Sequence, residues 1–334
     1  MIKAYMKEED MTLIFFDPVF QEKIWGGNYL SKLFSKDLKS EHVGEAWVLS
    51  AHPHGVSKVL GPEKYAGLGL DELYQKYPEL FGHPVEDKFP ILVKILDARE
   101  DLSVQVHPDD AYAQAHEGAG ELGKTECWYI LKAEEGAEIV YGHHANSQEA
   151  FLNYVSEGKW SDLLRKVPVK AGDFFYVPHG TIHAIGSGIV ILEVQQSSDT
   201  TYRVYDYDRK DEQGKLRDLH LDKSLEVSLI PHQDPQSQVQ SDLIGDITRN
   251  HYVTNPYFSV ISYKGLDMDL SNELEEDYYL MTVIKGEGMV KSHGQTAQLG
   301  MGDSFLVTYG PKDLQFTGEL EVMTTHIPKG GILS

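Results

Sequence analysis

Ala171–Ile185 reads AGDFFYVPHGTIHAI, and its local signals decide the fold. Gly172-Asp173 makes a hairpin-type turn, because glycine accepts the positive φ such turns need and aspartate bonds its own backbone. Phe174–Val177 is a strand of aromatic and branched residues, Pro178-x-Gly180 a second tight turn, and His183 the start of another strand. The arrangement recurs downstream. LGMGDSFLVTYG at 299–310 stands where the first copy has VKAGDFFYVPHG at 169–180, after a strand YYLMTVIKGEGMV from 278. The second copy keeps Gly302-Asp303 but lacks the Pro-x-Gly-x-x-His that follows in the first. A duplicated β unit is expected, with ligand-type side chains in one copy only.

Upstream, Leu102–His107 (LSVQVH) alternates apolar Leu102, Val104 and Val106 with Ser103, Gln105 and His107. Period-two alternation defines a strand and puts the second set on one face. Pro108 blocks the next ladder bond and leaves His107 at a strand end. In ECWYIL, Glu126, Trp128 and Ile130 share a face that Lys124 extends, and in IVILEVQQ, Glu193 and Gln195 share one. Phe89–Leu96 is a continuous apolar run, as in a strand covered on both sides, with Lys94 either snorkelling out or facing the site. Helical spacing marks Leu70–Leu80, Asp109–Glu117 and two short segments in 147–166 broken at Gly158, an insertion between β elements. Residues 210–250 are polar and irregular, with HQDPQSQVQSD at 232–242 as linker, and a further β-rich unit begins near Tyr252.

GAGELGKT at 118–125 matches the phosphate-loop pattern letter for letter. That pattern works only between a strand and a helix whose terminal amides face phosphate. Here a helical segment precedes and a strand follows, so the nucleotide reading fails. His52 and His54 flank a proline and read as turn histidines rather than ligands.

The chain has 334 residues, 41% hydrophobic and 25% charged, with no apolar run of bilayer length. Its 52 acids outweigh 30 lysines and arginines, for a formal charge of −22 that repels nucleic acid and anionic membranes. An anionic substrate would therefore need a local cluster of cations or a metal. Cys127 is the one cysteine, so no internal disulfide forms. MIKAYMKEED has no apolar core of a secretion signal, and a cytoplasmic protein is expected, monomer or small homo-oligomer.

The G-D-x5-P-x-G-x2-H arrangement resembles the second motif of the cupin superfamily, whose small β-barrels hold a metal among inward side chains. The fold expected from it is mainly β: two cupin-type double-stranded β-helix (jelly-roll) barrels with a small α-helical insertion. Residues 1–245 would form the catalytic domain and 246–334 a metal-free barrel. Gln105, His107, Glu126 and His183 then give two imidazoles, a carboxylate and an amide on inward strand faces. Zinc accepts such a set; non-haem iron accepts two histidines and a carboxylate, but the fourth ligand leaves it fewer vacant positions.

QVHPDD, GKTECWYIL, PHGTIHAIGSG and SSDTTYRVYDYDR, with KIWGG and GEAWVLSAHP upstream, together resemble the type I mannose-6-phosphate isomerases in their short bacterial form. The resemblance covers most of residues 12–210. It implies one Zn2+ per chain on Gln105, His107, Glu126 and His183, and conversion of mannose 6-phosphate to fructose 6-phosphate through a cis-enediol. From the S-D-x-x-x-R motif it implies Arg203 as the active-site arginine, with Asp199 nearby. Lys124 would move protons or hold an oxygen, and Arg203 would hold phosphate or stabilise the enediolate. Ser103 and Glu193 would bind substrate. The partner would be a small phosphorylated sugar. Longer members place a large helical domain where this chain has only 147–166, and their tyrosine after the ligand His-Ala is Ile185 here. An iron-dependent cupin oxygenase and a non-catalytic sugar-binding cupin are the competing readings.

Overall fold

Alternation and turn chemistry make the chain mainly β. A computed structural model describes residues 13–210, 214–236, 238–310 and 313–329. The MIKAYMKEED segment lies outside the described residues. Two compact units result, and neither is a continuous stretch: one holds residues 20–46 and 95–236, the other the remaining described residues.

In the first unit a five-stranded sheet runs in the order Tyr202–Tyr205, Val104–Val106, His183–Ala184, Glu138–His143, Leu164–Pro168. A six-stranded sheet runs Phe174–Val177, Glu126–Ala133, Ile189–Gln196, Ile91–Ala98, Val19–Gly27, Val43–Leu49, and its last strands carry the chain past the unit's limits. Trp128, Ile130 and Ile191 of the larger sheet pack with Ile139 and Tyr141 of the smaller one, so the two face each other across one core. The opposite face of the smaller sheet presents Val104, Val106, Val140 and Ala184, which pack with Phe151 and Leu163 of the helical insertion and with Leu221 and Leu225. Each strand of the smaller sheet thus has two uses. Odd positions such as Gln105 point into the barrel, and even ones such as Val104 anchor helices.

The other unit is built on a ten-stranded sheet ordered Gln240–Ile244, Ile247–Thr254, Ser259–Leu266, Glu319–His326, Tyr279–Ser292, Ser304–Val307, Leu13–Asp17, Lys58–Gly61, with Gln295–Gly300 and Gln315–Thr317 on the far half of the 14-residue strand. A register shift between Val283 and Lys285 bends that strand so that it serves both halves. Leu13, Tyr279, Met281, Val283, Phe305 and Phe316 fill the interior.

The two Gly-Asp turns are superposable in their bonding. Gly172 and Gly302 both have φ +92°. Gly172 N–H donates to Ile130 O at 2.8 Å and Ile130 N–H to Asp173 O at 2.9 Å; Gly302 N–H donates to Val283 O at 2.8 Å and Val283 N–H to Asp303 O at 3.0 Å. The pairing of Val177 with Glu126 is matched by that of Val307 with Tyr279.

Several expectations shift. Of the described residues in 210–250, not all are irregular: Leu221–Val227 is a helix and Gln240–Ile244 pairs with Ile247–Thr254, so the β-rich unit begins before Tyr252 and the 232–242 linker ends in a strand. That strand is exposed nearly throughout and so lacks an apolar alternation to read. The insertion's second helix stops at Leu163, because Leu164–Pro168 alternates and pairs with Glu138–His143. The helix from Leu70 ends at Lys76 and continues as a 3-10 turn from Pro78, which has no N–H to extend it. Lys94 does not snorkel: it is buried with its ammonium 5.0 Å from the Trp47 ring centre. No helix follows Thr125, where the strand Glu126–Ala133 begins, in agreement with rejection of the phosphate loop.

Candidate metal centre

His183 pairs directly with Gln105 across the small sheet, and Arg203 pairs with Gln105 from the other side, so all three start from one level of the barrel. His107 follows the strand Val104–Val106, and its side chain is 1% exposed, as is that of His183. Glu126 opens its strand on the facing sheet and is fully buried. The ligand-type atoms of His107, Glu126 and His183 lie within 4.8 Å of one another. His107 Nε2 is 3.6 Å from Glu126 Oε2, His183 Nε2 is 3.3 Å from Glu126 Oε1, and Gln105 Nε2 is 3.4 Å from His183 Nε2.

The imidazoles are oriented by backbone. His107 Nδ1 bonds to Thr200 O at 2.8 Å and His183 Nδ1 to Thr181 O at 2.9 Å. A carbonyl can only accept, so both Nδ1 atoms carry the proton, and in the neutral ring Nε2 then offers a lone pair to the shared space. Burial, and then the Lys124 charge, push the His183 pKa down to about 3, which keeps the ring neutral. Neutral imidazoles fixed through their second nitrogen, with a buried carboxylate, are what a divalent metal of borderline softness requires. The residues present fit a metal.

Lys124 lies at the same point, its Nζ 2.5 Å from Glu126 Oε2 and 3.1 Å from His107 Nε2. Burial works against its charge, but the Glu126 and Glu193 carboxylates outweigh it and hold the pKa above the ordinary lysine value. Trp128 Nε1–H is 3.1 Å from both Glu126 Oε1 and Glu193 Oε1, so one donor ties the two carboxylates together. Cys127, between Glu126 and Trp128 in sequence, is buried, and burial together with the Glu126 charge raises its thiol pKa well above normal.

Ser103 is buried and its hydroxyl takes a bond from Arg203 Nε at 3.3 Å, while Arg203 Nη1 donates to Asp218 O at 2.9 Å. Burial, and then Arg217, lower the pKa of Arg203. Asp199 is exposed, in the irregular stretch between Ser198 and Thr200, and is not among the buried side chains of the cluster. Gln105, His107, Lys124, Glu126, His183 and Glu193 are therefore brought together, with Ser103 and Arg203 adjoining them. The Thr200 and Thr181 carbonyls and the shared Trp128 N–H escaped sequence reasoning. The carbonyls are backbone groups that no letter encodes, whereas Trp128 already stood on the Glu126 face.

A jelly-roll barrel with two tethered histidines and a carboxylate inside defines a metal-dependent cupin enzyme. The comparisons narrow the class. Residues 13–133 match the family described as phosphomannose isomerase type I, catalytic domain, and residues 248–327 that described as mannose-6-phosphate isomerase, cupin domain. The sequence is 48% identical to a mannose-6-phosphate isomerase of Streptococcus mutans, over 94% of this chain and 98% of that protein. It is 46% identical to mannose-6-phosphate isomerase ManA of Bacillus subtilis over the same shares. The crystal structure of the Bacillus subtilis mannose 6-phosphate isomerase superposes with a TM-score of 0.91 at 42% identity, covering 95% of this chain and 100% of that one. The chain belongs to the type I phosphomannose isomerase family.

Proposed function

We propose that the chain is a zinc-dependent aldose–ketose isomerase that interconverts D-mannose 6-phosphate and D-fructose 6-phosphate through a cis-enediol. The observation that carries this reading is the convergence of His107 Nε2, His183 Nε2 and the Glu126 carboxylate beside Lys124 in one buried space. Near-full-length relatives that bear the activity's name support it. Gln105, His107, Glu126 and His183 would hold one zinc ion per chain, and such an ion supplies Lewis acidity toward the sugar's O1 and O2.

The remaining groups follow from their chemistry. Isomerisation moves a proton between C1 and C2 and builds negative charge on an oxygen. Lys124, whose Nζ already contacts the ligand atoms, is the group assigned to moving protons at that edge. A guanidinium keeps its proton, so Arg203 is assigned to holding anionic oxygen. Ser103 orients that guanidinium, and Glu193 would accept a hydrogen bond from a substrate hydroxyl. Asp199 would act from the rim. Catalysis would belong to residues 1–245, with 246–334 a barrel without ligands.

Among the described residues no helix is long and apolar enough to cross a membrane. A cytoplasmic enzyme, monomeric or a small homo-oligomer, with a small phosphorylated sugar as partner, fits this reading. The test is a coupled assay on zinc-loaded protein with His183→Ala and Arg203→Ala as controls. Turnover of another sugar phosphate, but not mannose 6-phosphate, would redirect the substrate assignment. Iron by metal analysis with oxygen uptake would replace it with an oxygenase, and sugar binding without turnover would leave a binding barrel.

A further inference from the structure

Two consecutive glutamines, Gln195 and Gln196, close the strand Ile189–Gln196 and are 0% and 2% exposed. Burying an amide is costly unless its polar atoms are matched, so the partners of each show what it is kept for.

The Gln195 amide is tied to the loop that follows. Its Nε2 donates to Gln196 O at 2.7 Å and to Ser198 O at 2.6 Å. Both acceptors are carbonyls, which fixes the nitrogen at this end and leaves Oε1 buried without a partner among the described residues. The residue is held for the two bonds it donates. That loop supports a ligand histidine. Ser198 Oγ accepts Thr200 N–H at 3.3 Å and donates to Leu122 O at 2.9 Å, and Thr200 O accepts His107 Nδ1–H at 2.8 Å. Gln195 thus reaches the His107 ring through one short run of backbone.

Gln196 grips the strand entry on its other side. Its Oε1 accepts Thr125 N–H at 2.9 Å, its own N–H donates to Thr125 O at 3.1 Å, and its Nε2 donates to Asp110 Oδ1 at 2.9 Å. Asp110 Oδ1 also accepts Gly123 N–H at 2.7 Å, and Lys124 N–H donates to Pro108 O at 3.0 Å. Three successive backbone N–H groups are therefore fixed, with Lys124 in the middle. A Cβ on Gly123 would stand 2.5 Å from Asp109 C and 2.6 Å from Asp110 N, so this approach needs glycine. The Gly-Lys-Thr that ends the false phosphate loop has its explanation here. Gly123 permits the contact, Thr125 is the handle, and Lys124 between them is delivered to Glu126 and His107.

We propose that Gln195 and Gln196 are positioning residues that divide the site between them: Gln195 sets the His107 imidazole for the metal, and Gln196 sets Lys124 for proton movement. This rests on the metal and lysine roles proposed above.

The experiment uses the full-length chain and reads metal binding and turnover separately. Gln195→Met should weaken zinc binding by about 10-fold or more in competition with a chelator, as loss of an outer support of a ligand histidine does. Gln196→Met should leave the zinc constant within about twofold. Its kcat should fall by about 10- to 100-fold with KM within about threefold, as displacement of a reacting group does. Gln196→Glu, which sets a second carboxylate against Asp110, should lower kcat at least as far. Adding Asp110→Asn should restore part of that loss, a recovery that a general weakening of the fold does not give. A wild-type zinc constant in Gln195→Met, or a wild-type kcat in Gln196→Met, overturns the proposal. So do equal losses of zinc affinity and kcat in both variants in step with the thermal midpoint, which mark residues that only hold the fold. Zinc titration needs no sugar, and kcat is compared with wild type on whichever sugar phosphate it turns over. Wild-type inactivity on mannose 6-phosphate therefore strikes the substrate reading and not this one. Should Gln195→Met fail to fold, Gln195→Glu, which keeps the length and removes both donors, gives the same comparison.

Discussion

Glu126 and Tyr279 hold the same place in the two barrels, each opposite the last residue of the strand that follows a Gly-Asp turn. Two residues on, Trp128 faces Glu193 in one sheet and Met281 faces Thr324 in the other. Backbone bonding is the same in both copies; the inward letters differ. In the second copy Tyr279, Met281 and Val283 meet a mainly apolar interior, with the Tyr279 hydroxyl taking the Glu276 N–H at 2.9 Å. In the first, the carboxylate and imidazoles would be costly inside unless each polar atom found a partner, and Trp128, Lys124 and two threonine carbonyls provide them. The fold is specified by turns and alternation, while the chemistry is added by a few substitutions together with their supporting bonds.

The sharpest way to break this comparison is to remove ligands from one copy and a buried histidine from the other. His183→Ala or Glu126→Gln should abolish metal retention and reduce turnover by at least about 10³-fold, whereas His326→Ala should leave turnover within about twofold; metal analysis and the coupled assay read both.

A buried histidine in the second copy offers the next test. Burial, then the nearby His251, lower the His326 pKa to about 4, and its ring lies 5.0 Å from that of Tyr279. The unfolded chain then takes up this proton first as pH falls. The associated stability is present above about pH 6.5 and is lost as pH drops toward about 4, by at most about 3 kcal/mol. Urea unfolding at several pH values should show that slope, and His326→Gln should flatten it.

Trp128→Phe keeps the packing but deletes the N–H shared by Glu126 and Glu193. Metal affinity should weaken by about 10- to 100-fold with little loss of stability, measured by chelator competition. The smallest effect should be common to both copies. Gly172→Ala and Gly302→Ala each force φ +92° on a residue with a Cβ and should cost about 1 kcal/mol apiece by denaturant unfolding. Unequal costs would show that the two turns are not equivalent.

How much of this the residues announced depends on where each signal is encoded. Gln105, His107, Glu126 and His183 were legible because period-two alternation assigns faces, and the glycine and proline turns fix where strands begin. The Gln240–Thr254 hairpin was not, since an exposed edge strand has no apolar face to reveal it. Helix Leu221–Val227 buries only Ser224 fully and offers little periodicity. The membership of Leu13–Asp17 in the sheet of the second unit, through pairing with Ser304–Val307, is a contact across nearly the whole chain. Local patterns carry no information about such partners.

Cys127 gives the molecule a built-in reporter. Its sulfur is shut inside the wall that carries Glu126, and its thiol is held protonated. Alkylating reagents should therefore spare the folded enzyme and mark it only when that wall opens. The rate of labelling would time the breathing of the barrel that holds Glu126, with no engineered probe required.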